Sequence, residues 1–336
     1  MRGMFEQFKS THYILAFGLV MIASYVGNGY KEKYLQYTND EYEMIRKYLL
    51  NDSPLYGFNR PKIWIHSKYE INARNWKALR NTTDLNQPYL NITIQSVIDH
   101  CGDNFHICLI DDDSFGNLIP GWELNVSRMA EPMKSHCRDL GMMKLLYLYG
   151  GIVVPNSFVC SRNLKPLFGE KPFVSQEENQ TTSLTGKWLP SMRFMGARKH
   201  DETIREFIAF LEKSNVMTDE RRLKGTTNQW LSRAIDDGKM ELVGGEKIGI
   251  RTKSGKSIGL EDIMEEKYLD LAGDCYGVLI PGADVLRRTK YQWFAVMSRE
   301  ELLGTNIAIV RYMKASMIDA NDEYYRTNEI KSVVSL

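Results

Sequence analysis

Residues Lys134 to Leu164, KSHCRDLGMMKLLYLYGGIVVPNSFVCSRNL, constrain this chain more than any other stretch. Leu140, Met143, Leu145, Leu146 and Leu148 recur at helical spacing, and the run ends in Gly150-Gly151, where a helix can cap itself in the left-handed conformation. The spacing predicts a helix that stops at about Tyr149. Ile152, Val153 and Val154 follow as a β-branched run closed by Pro155, the pattern of a short buried strand opening into a loop. In open α/β sheets ligands sit at such strand ends.

The same alternation runs upstream. After Arg60-Pro61, the run Lys62-Ile63-Trp64-Ile65-His66 reads as a strand, with His66 at its carboxyl end. Ile92 to His100 is amphipathic, with Ile94, Val97 and Ile98 on one face. A Cys-Gly-Asp turn leads to a strand over Phe105 to Ile110 that runs into Asp111-Asp112-Asp113. Strand, helix, strand, helix, strand implies βαβ units and a mostly parallel sheet. Three successive aspartates invite a hard cation, which takes carboxylate oxygens. Adjacent side chains of an extended segment point to opposite faces, however, so they converge on one ion only in a tight turn.

Downstream, Leu164 to Phe168 and Pro172 to Val174 continue the core, whereas Ser175 to Lys187, with Glu177 and Glu178, is polar enough to predict an exposed mobile loop. A strand over Arg193 to Ala197 leads to His200 and to Asp201, an N-cap for the helix Glu202 to Leu211. Thr226 to Ile235 reads as a further helix. Gly255-Lys256-Ser257 has the ending of a phosphate-binding loop, but the earlier glycine is missing because position 250 is Ile250, so Gly244 to Ser257 is expected to be a surface hairpin. A late strand over Tyr276 to Pro281, an aromatic group at Tyr291, Trp293 and Phe294, and a closing helix from Glu300 to Ile318 complete the chain.

The helix, Tyr-Gly-Gly-Ile, strand and loop at residues 134–164, together with Pro61 to His66, resemble the DxD sugar transferases, which include yeast Golgi mannosyltransferases and bacterial capsular-polysaccharide transferases. The resemblance implies an α/β fold of GT-A type, a three-layer α/β/α domain with a mostly parallel central sheet, preceded by an N-terminal membrane helix. In that family the helix carries a Ser-Asp pair, and the strand ends in Asp-x-Asp, which holds a divalent metal and the diphosphate of a nucleotide sugar. Asp139 falls on the helix aspartate; Pro155 and Ser157 fall on the metal-binding aspartates. Met142 stands where the family usually has an arginine. The nucleotide-sugar-binding candidates are therefore His66, Asp111, Asp112, Asp139, Gly150, Gly151, Asn156 and Ser157. No metal ligand is assigned, and Mn²⁺ or Mg²⁺ enters only where acids outside the degenerate pair substitute.

Residues Tyr13 to Tyr30 carry no charge and no proline, and as a helix they would extend about 27 Å, near the hydrocarbon thickness of a bilayer. They read as a membrane anchor; a cleaved signal peptide with its cut near Gly27-Asn28-Gly29 and a soluble apolar helix are the alternatives. The expected layout is an anchor at 1–30, a stem at 31–59, the transferase-like domain at 60–318 and a polar tail at 319–336. The resemblance implies type II membrane topology with a lumenal domain, or a viral membrane if the protein is viral. Five sequons, at Asn51, Asn81, Asn91, Asn125 and Asn179, lean the same way. The formal net charge of +1 with intermixed signs excludes a basic face for nucleic acid. Five cysteines without a C-x-x-C pair argue against a zinc ribbon and read as buried thiols, with disulfides an option in an oxidising lumen.

Three functions stay open: a membrane-anchored transferase acting on a nucleotide sugar and a glycan acceptor without the tightly held metal, a catalytically silent relative kept as a binding or scaffolding module, and a structural membrane-associated protein, for instance of a large DNA virus.

Overall fold

The computed structural model describes residues 60–67, 87–181, 188–214 and 220–317. The expected anchor, stem and polar tail lie outside the described residues, and among the described residues no helix is long and apolar enough to cross a membrane.

In chain order the first half comprises β1 (Lys62–His66), α1 (Tyr89–Cys101), β2 (His106–Ile110), the short α2 (Ser114–Leu118), α3 (Met133–Tyr149), β3 (Gly151–Val153) and β4 (Phe158–Cys160). The second half comprises β5 (Phe173–Thr181), β6 (Trp188–Ala197), α4 (Glu202–Lys213), α5 (Glu220–Asp236), β7 (Glu241–Val243), α6 (Leu260–Ile263), β8 (Gly277–Leu279), α7 (Gly282–Arg287), α8 (Gln292–Val296), α9 (Arg299–Leu303) and α10 (Ala308–Ser316).

Six strands form a central mixed sheet in the order β2-β1-β3-β6-β5-β7. β1 runs parallel to both neighbours, and β5 is parallel to β7; β6 is antiparallel to β3 and β5. Parallel pairing thus prevails, as the βαβ pattern of the sequence requires. Because β1 pairs Ile63 with both Ile107 and Ile152, alternate residues share a face across three strands. Ile63, Ile65, Ile107, Leu109 and Ile152 on one face and Trp64, Cys108, Ile110 and Val153 on the other are all buried, so both faces are covered.

The direction of the crossovers explains how. The chain passes from β1 to β2 on one side and returns across β1 to β3 on the other. Right-handed connections then put α1 and α3 on opposite faces. The core divides accordingly: Leu140, Met143, Leu145 and Leu146 of α3 pack with Ile204, Phe207 and Leu231 of α4 and α5. Tyr89, Leu90 and Ile92 of α1 join a second cluster with α6 to α10. There β4 and β8 form a separate antiparallel pair.

Helix α3 ends as its sequence predicts. Gly150 adopts φ 69°, its N–H bonds the carbonyl of Leu146 at 2.8 Å, and its own carbonyl accepts from the buried indole N–H of Trp64 at 2.9 Å. Gly151 lies so close to β1 that a Cβ would fall 2.1 Å from the carbonyl oxygen of Lys62. The paired glycines therefore serve the helix-to-strand passage. Asp201 caps α4 by accepting from the N–H of Ile204 at 3.1 Å, a contact worth about 1 kcal/mol.

Three expectations are corrected. Ser175 to Thr181 is strand, not loop: the carboxylate of Glu177, 6% exposed, pairs with Lys224 at 3.1 Å, and the amide oxygen of Gln176 accepts from the N–H of Gly245 at 2.9 Å. Partners from neighbouring elements satisfy the side chains of Gln176 and Glu177, so their polarity did not signal exposure. Gly244 to Ser257 is a hairpin only at its tip, where Arg251 bridges Ser257, because Ile248 and Ile250 are buried. The closing helix breaks into α9 and α10 around Gly304, with Ser298 and Glu301 forming a capping box on α9. Phe294 is fully buried against Tyr89, ring centroids 4.8 Å apart, and Trp293 packs on the same cluster.

Candidate functional site

The order in which β1, β2 and β3 are visited reverses at the β1–β3 pair, and the crevice outside the carboxyl ends of strands at such a point is the usual ligand position of an α/β sheet. A cavity of about 240 Å³ opens there. His66 borders it from the end of β1 and Val154 to Ser157 from the end of β3. Arg138, Asp139 and Met142 line it from the N-terminal half of α3, and Met192 and Arg193 from β6. Gln87 and Tyr89 at the head of α1, with Ile280 and Gly282 after β8, form the remaining wall.

Of the residues selected from sequence, His66, Asp139, Asn156 and Ser157 come together around this cavity. Asp112 stands one step behind it. Its Oδ1 accepts from Nε of Arg138 at 2.7 Å and contacts Nε2 of His66 at 3.1 Å, while its Oδ2 accepts from Nη2 of Arg138 at 2.7 Å. Burial pushes the Asp112 carboxyl up, but the hydrogen bonds from Arg138 and His66 and their charges outweigh it and hold the group well below the ordinary carboxylate range. The ring of His66 stacks on Phe115 at 5.6 Å, which fixes its plane against the core.

Asp111, Gly150 and Gly151 are not among the lining residues. Asp111 closes a turn at the head of α2, where its Oδ1 accepts from the backbone N–H of Ser114 at 2.9 Å and from its hydroxyl at 2.6 Å. The three aspartates thus sit in a turn rather than an extended segment, and two of them are committed to protein partners. His200 has φ 60° and donates its N–H to the carbonyl of Tyr147 at 2.6 Å, ahead of α4 and outside the cavity lining.

The divalent metal that the resembling transferases hold at the end of this strand does not fit the residues present. Pro155 has no donor side chain, and the hydroxyl of Ser157, a residue 7% exposed, donates to the carbonyl of Ile280 at 2.8 Å. The carbonyl of Asn156 accepts from the Thr93 hydroxyl, leaving only a neutral amide from that residue. Hard cations favour several carboxylate oxygens, and among the described residues no three metal-ligating side chains converge.

Sequence reasoning missed Arg138 and Arg193. Arg138 directly precedes Asp139 in the motif, and its charge beside an apolar helical face was the available signal. Its partnership with Asp112, 26 residues away, was not. Arg193 falls within a strand whose spacing said nothing of a cavity. Gln87 was missed as well: 3% exposed, it borders the cavity, and its Oε1 has no hydrogen-bond partner among the described residues. The five cysteines are all buried as thiols, with Sγ of Cys101 and Cys160 in hydrogen-bonding contact at 3.9 Å.

No protein-family model and no curated protein matches the chain. Among solved structures it is similar to the apo-form glycosyltransferase GlyE of Streptococcus pneumoniae TIGR4, at 10% identity and a TM-score of 0.34, over 82% of this chain and 64% of that one. The chain thus spans under two thirds of the length of the protein it matches.

Proposed function

We propose that the domain is glycosyltransferase-like, of GT-A type, and binds a nucleotide sugar in the cavity at the carboxyl ends of β1 and β3. The observation that carries this reading is the position of the cavity: it lies at the reversal point of the parallel strands and is bordered by two arginines, Arg138 and Arg193, with Asp139 and the Asn156 amide. Where the resembling transferases carry Ser-Asp on this helix, the chain carries Arg138-Asp139. Cations on the walls suit a diphosphate, and the carboxylate and amide suit sugar hydroxyls. Tyr13 to Tyr30 would tether the domain to a membrane in type II orientation.

A second reading, a binding module without turnover, is favoured by one observation: Pro155 and the committed Ser157 hydroxyl replace the acids that would neutralise a departing diphosphate. Calorimetric titration of the full-length chain with a panel of UDP- and GDP-sugars, followed by a turnover assay in Mn²⁺ and in chelator, decides between the two. Saturable binding that weakens in Asp139→Ala supports the site; turnover then makes it a transferase, and its absence makes it a binding module. If no nucleotide sugar binds, the reading is wrong.

A further inference from the structure

We propose that this cleft grips the diphosphate of its ligand with the guanidinium of Arg138, held in place by Asp112, instead of through a divalent cation. The inference rests on the nucleotide-sugar reading and adds to it the group that takes the phosphates and the independence of binding from metal.

A diphosphate brings several negative charges into a partly desolvated crevice, and they need donors fixed in advance. The end of β3 offers little: Pro155 lacks a donor, the Ser157 hydroxyl donates within the protein to Ile280, and Asn156 contributes only a neutral amide. Two nearby acids are engaged, Asp111 in the turn at Ser114 and Asp112 with Arg138 and His66, and Asp139 is the one acid among the lining residues, where a hard cation takes several carboxylate oxygens. The opposite sign of charge is available in their place. Arg138 borders the cavity from α3 with its side chain 14% exposed, and both oxygens of Asp112 hold its Nε and Nη2 edge at 2.7 Å. A guanidinium is planar, so fixing one edge fixes the direction of every other N–H it carries. Little rotamer entropy remains to be lost when a phosphate arrives. Asp112 stays ionised at ordinary pH, because Arg138 and His66 hold its carboxyl down against the effect of burial, so the clamp persists without a ligand.

The charges around the crevice nearly cancel, since Arg138 and Arg193 face Asp112 and Asp139. Affinity must then come from directed N–H donors more than from a net positive field. That has a sharp consequence: a lysine at position 138 keeps the charge but loses the fork, so it should fail as a replacement.

The test is calorimetric titration of UDP and of GDP into the full-length chain, once in EDTA and once in Mn²⁺. At least one nucleotide is expected to bind with the same affinity in both media, within about threefold, and Arg138→Lys and Asp112→Asn are each expected to weaken it about tenfold or more, the scale of one charge-assisted contact. Thermal melts of each variant establish that it folds. Should Asp112→Asn not fold, Arg138→Lys, which retains a cation beside Asp112, carries the test, together with ³¹P spectra of bound nucleotide in EDTA, whose shift should be lost in that variant. Binding that requires Mn²⁺, or binding unchanged in Arg138→Lys, overturns the proposal and leaves the nucleotide-sugar reading standing. Failure of both nucleotides and of the sugar panel to bind in either medium overturns that reading instead.

Discussion

Arg138 and Arg251 bury the same side chain in opposite ways. Arg138 presents its Nε and Nη2 edge to both oxygens of Asp112. Arg251, 8% exposed, has the same two nitrogens, Nε and Nη2, buried without a hydrogen-bond partner among the described residues, and its guanidinium lies 3.3 Å from the centre of the Trp188 ring. Burial pushes Arg251 below its ordinary value, and Glu246 opposes that only at a distance. A cation stacked on an aromatic face recovers part of its lost hydration, but two orphaned donors remain costly. The fold places its pairing carboxylate at the cavity and leaves the distant arginine to packing. Of these two arginines, the one held by a carboxylate is the one that borders the cavity.

The largest effect is expected from Asp112→Ala. It leaves Arg138 uncompensated and removes the partner of His66, and losing one member of a buried ion pair costs about 3–5 kcal/mol. Urea unfolding of the full-length chain measures it, and a loss below about 1 kcal/mol would place the pair among ordinary surface bridges.

Next is the pH dependence of that pair. The folded carboxyl of Asp112 titrates below its unfolded value, so its contribution is complete above roughly pH 4 and is lost as pH falls through the folded value. The stability difference between wild type and Asp112→Asn should therefore be constant from neutral pH down to roughly pH 5 and shrink below pH 4. A difference that grows on acidification would reverse the sign of the account.

The smallest effect is expected from Arg251→Met. Replacing an unpaired buried cation by an apolar side chain of similar length should leave stability within about 1 kcal/mol of wild type or raise it. A loss above about 2 kcal/mol would mean that the stacking on Trp188 does for Arg251 what Asp112 does for Arg138.

The two arginines also show what the sequence could and could not reveal. The parallel core was legible because β1, β2, α1 and α3 are written in local periodicity, and Gly150-Gly151 marks their junction by a conformational need. His66, Asp139 and Asn156 were singled out through the resemblance to the DxD sugar transferases, and all three border the cavity. The Asp112 clamp, the pairing of Glu177 with Lys224 and the burial of Ile248 were not, since each depends on contacts between distant segments. Short motifs were ambiguous for the same reason. In the sequon at Asn91, Thr93 is fully buried in α1 with its hydroxyl between the carbonyls of Leu90 and Asn156, whereas Asn125 and Ser127 of another sequon lie in an exposed turn.

Photoaffinity labelling of the full-length chain with 5-azido-UDP-glucose and mapping of the modified peptides tests the central claim most directly. Label that UDP competes away, carried by peptides containing His66, the Ser135 to Met143 face of α3 or the Val154 to Ser157 loop, is the predicted result. Competed label confined to peptides away from the cavity, or no competed label, would contradict it.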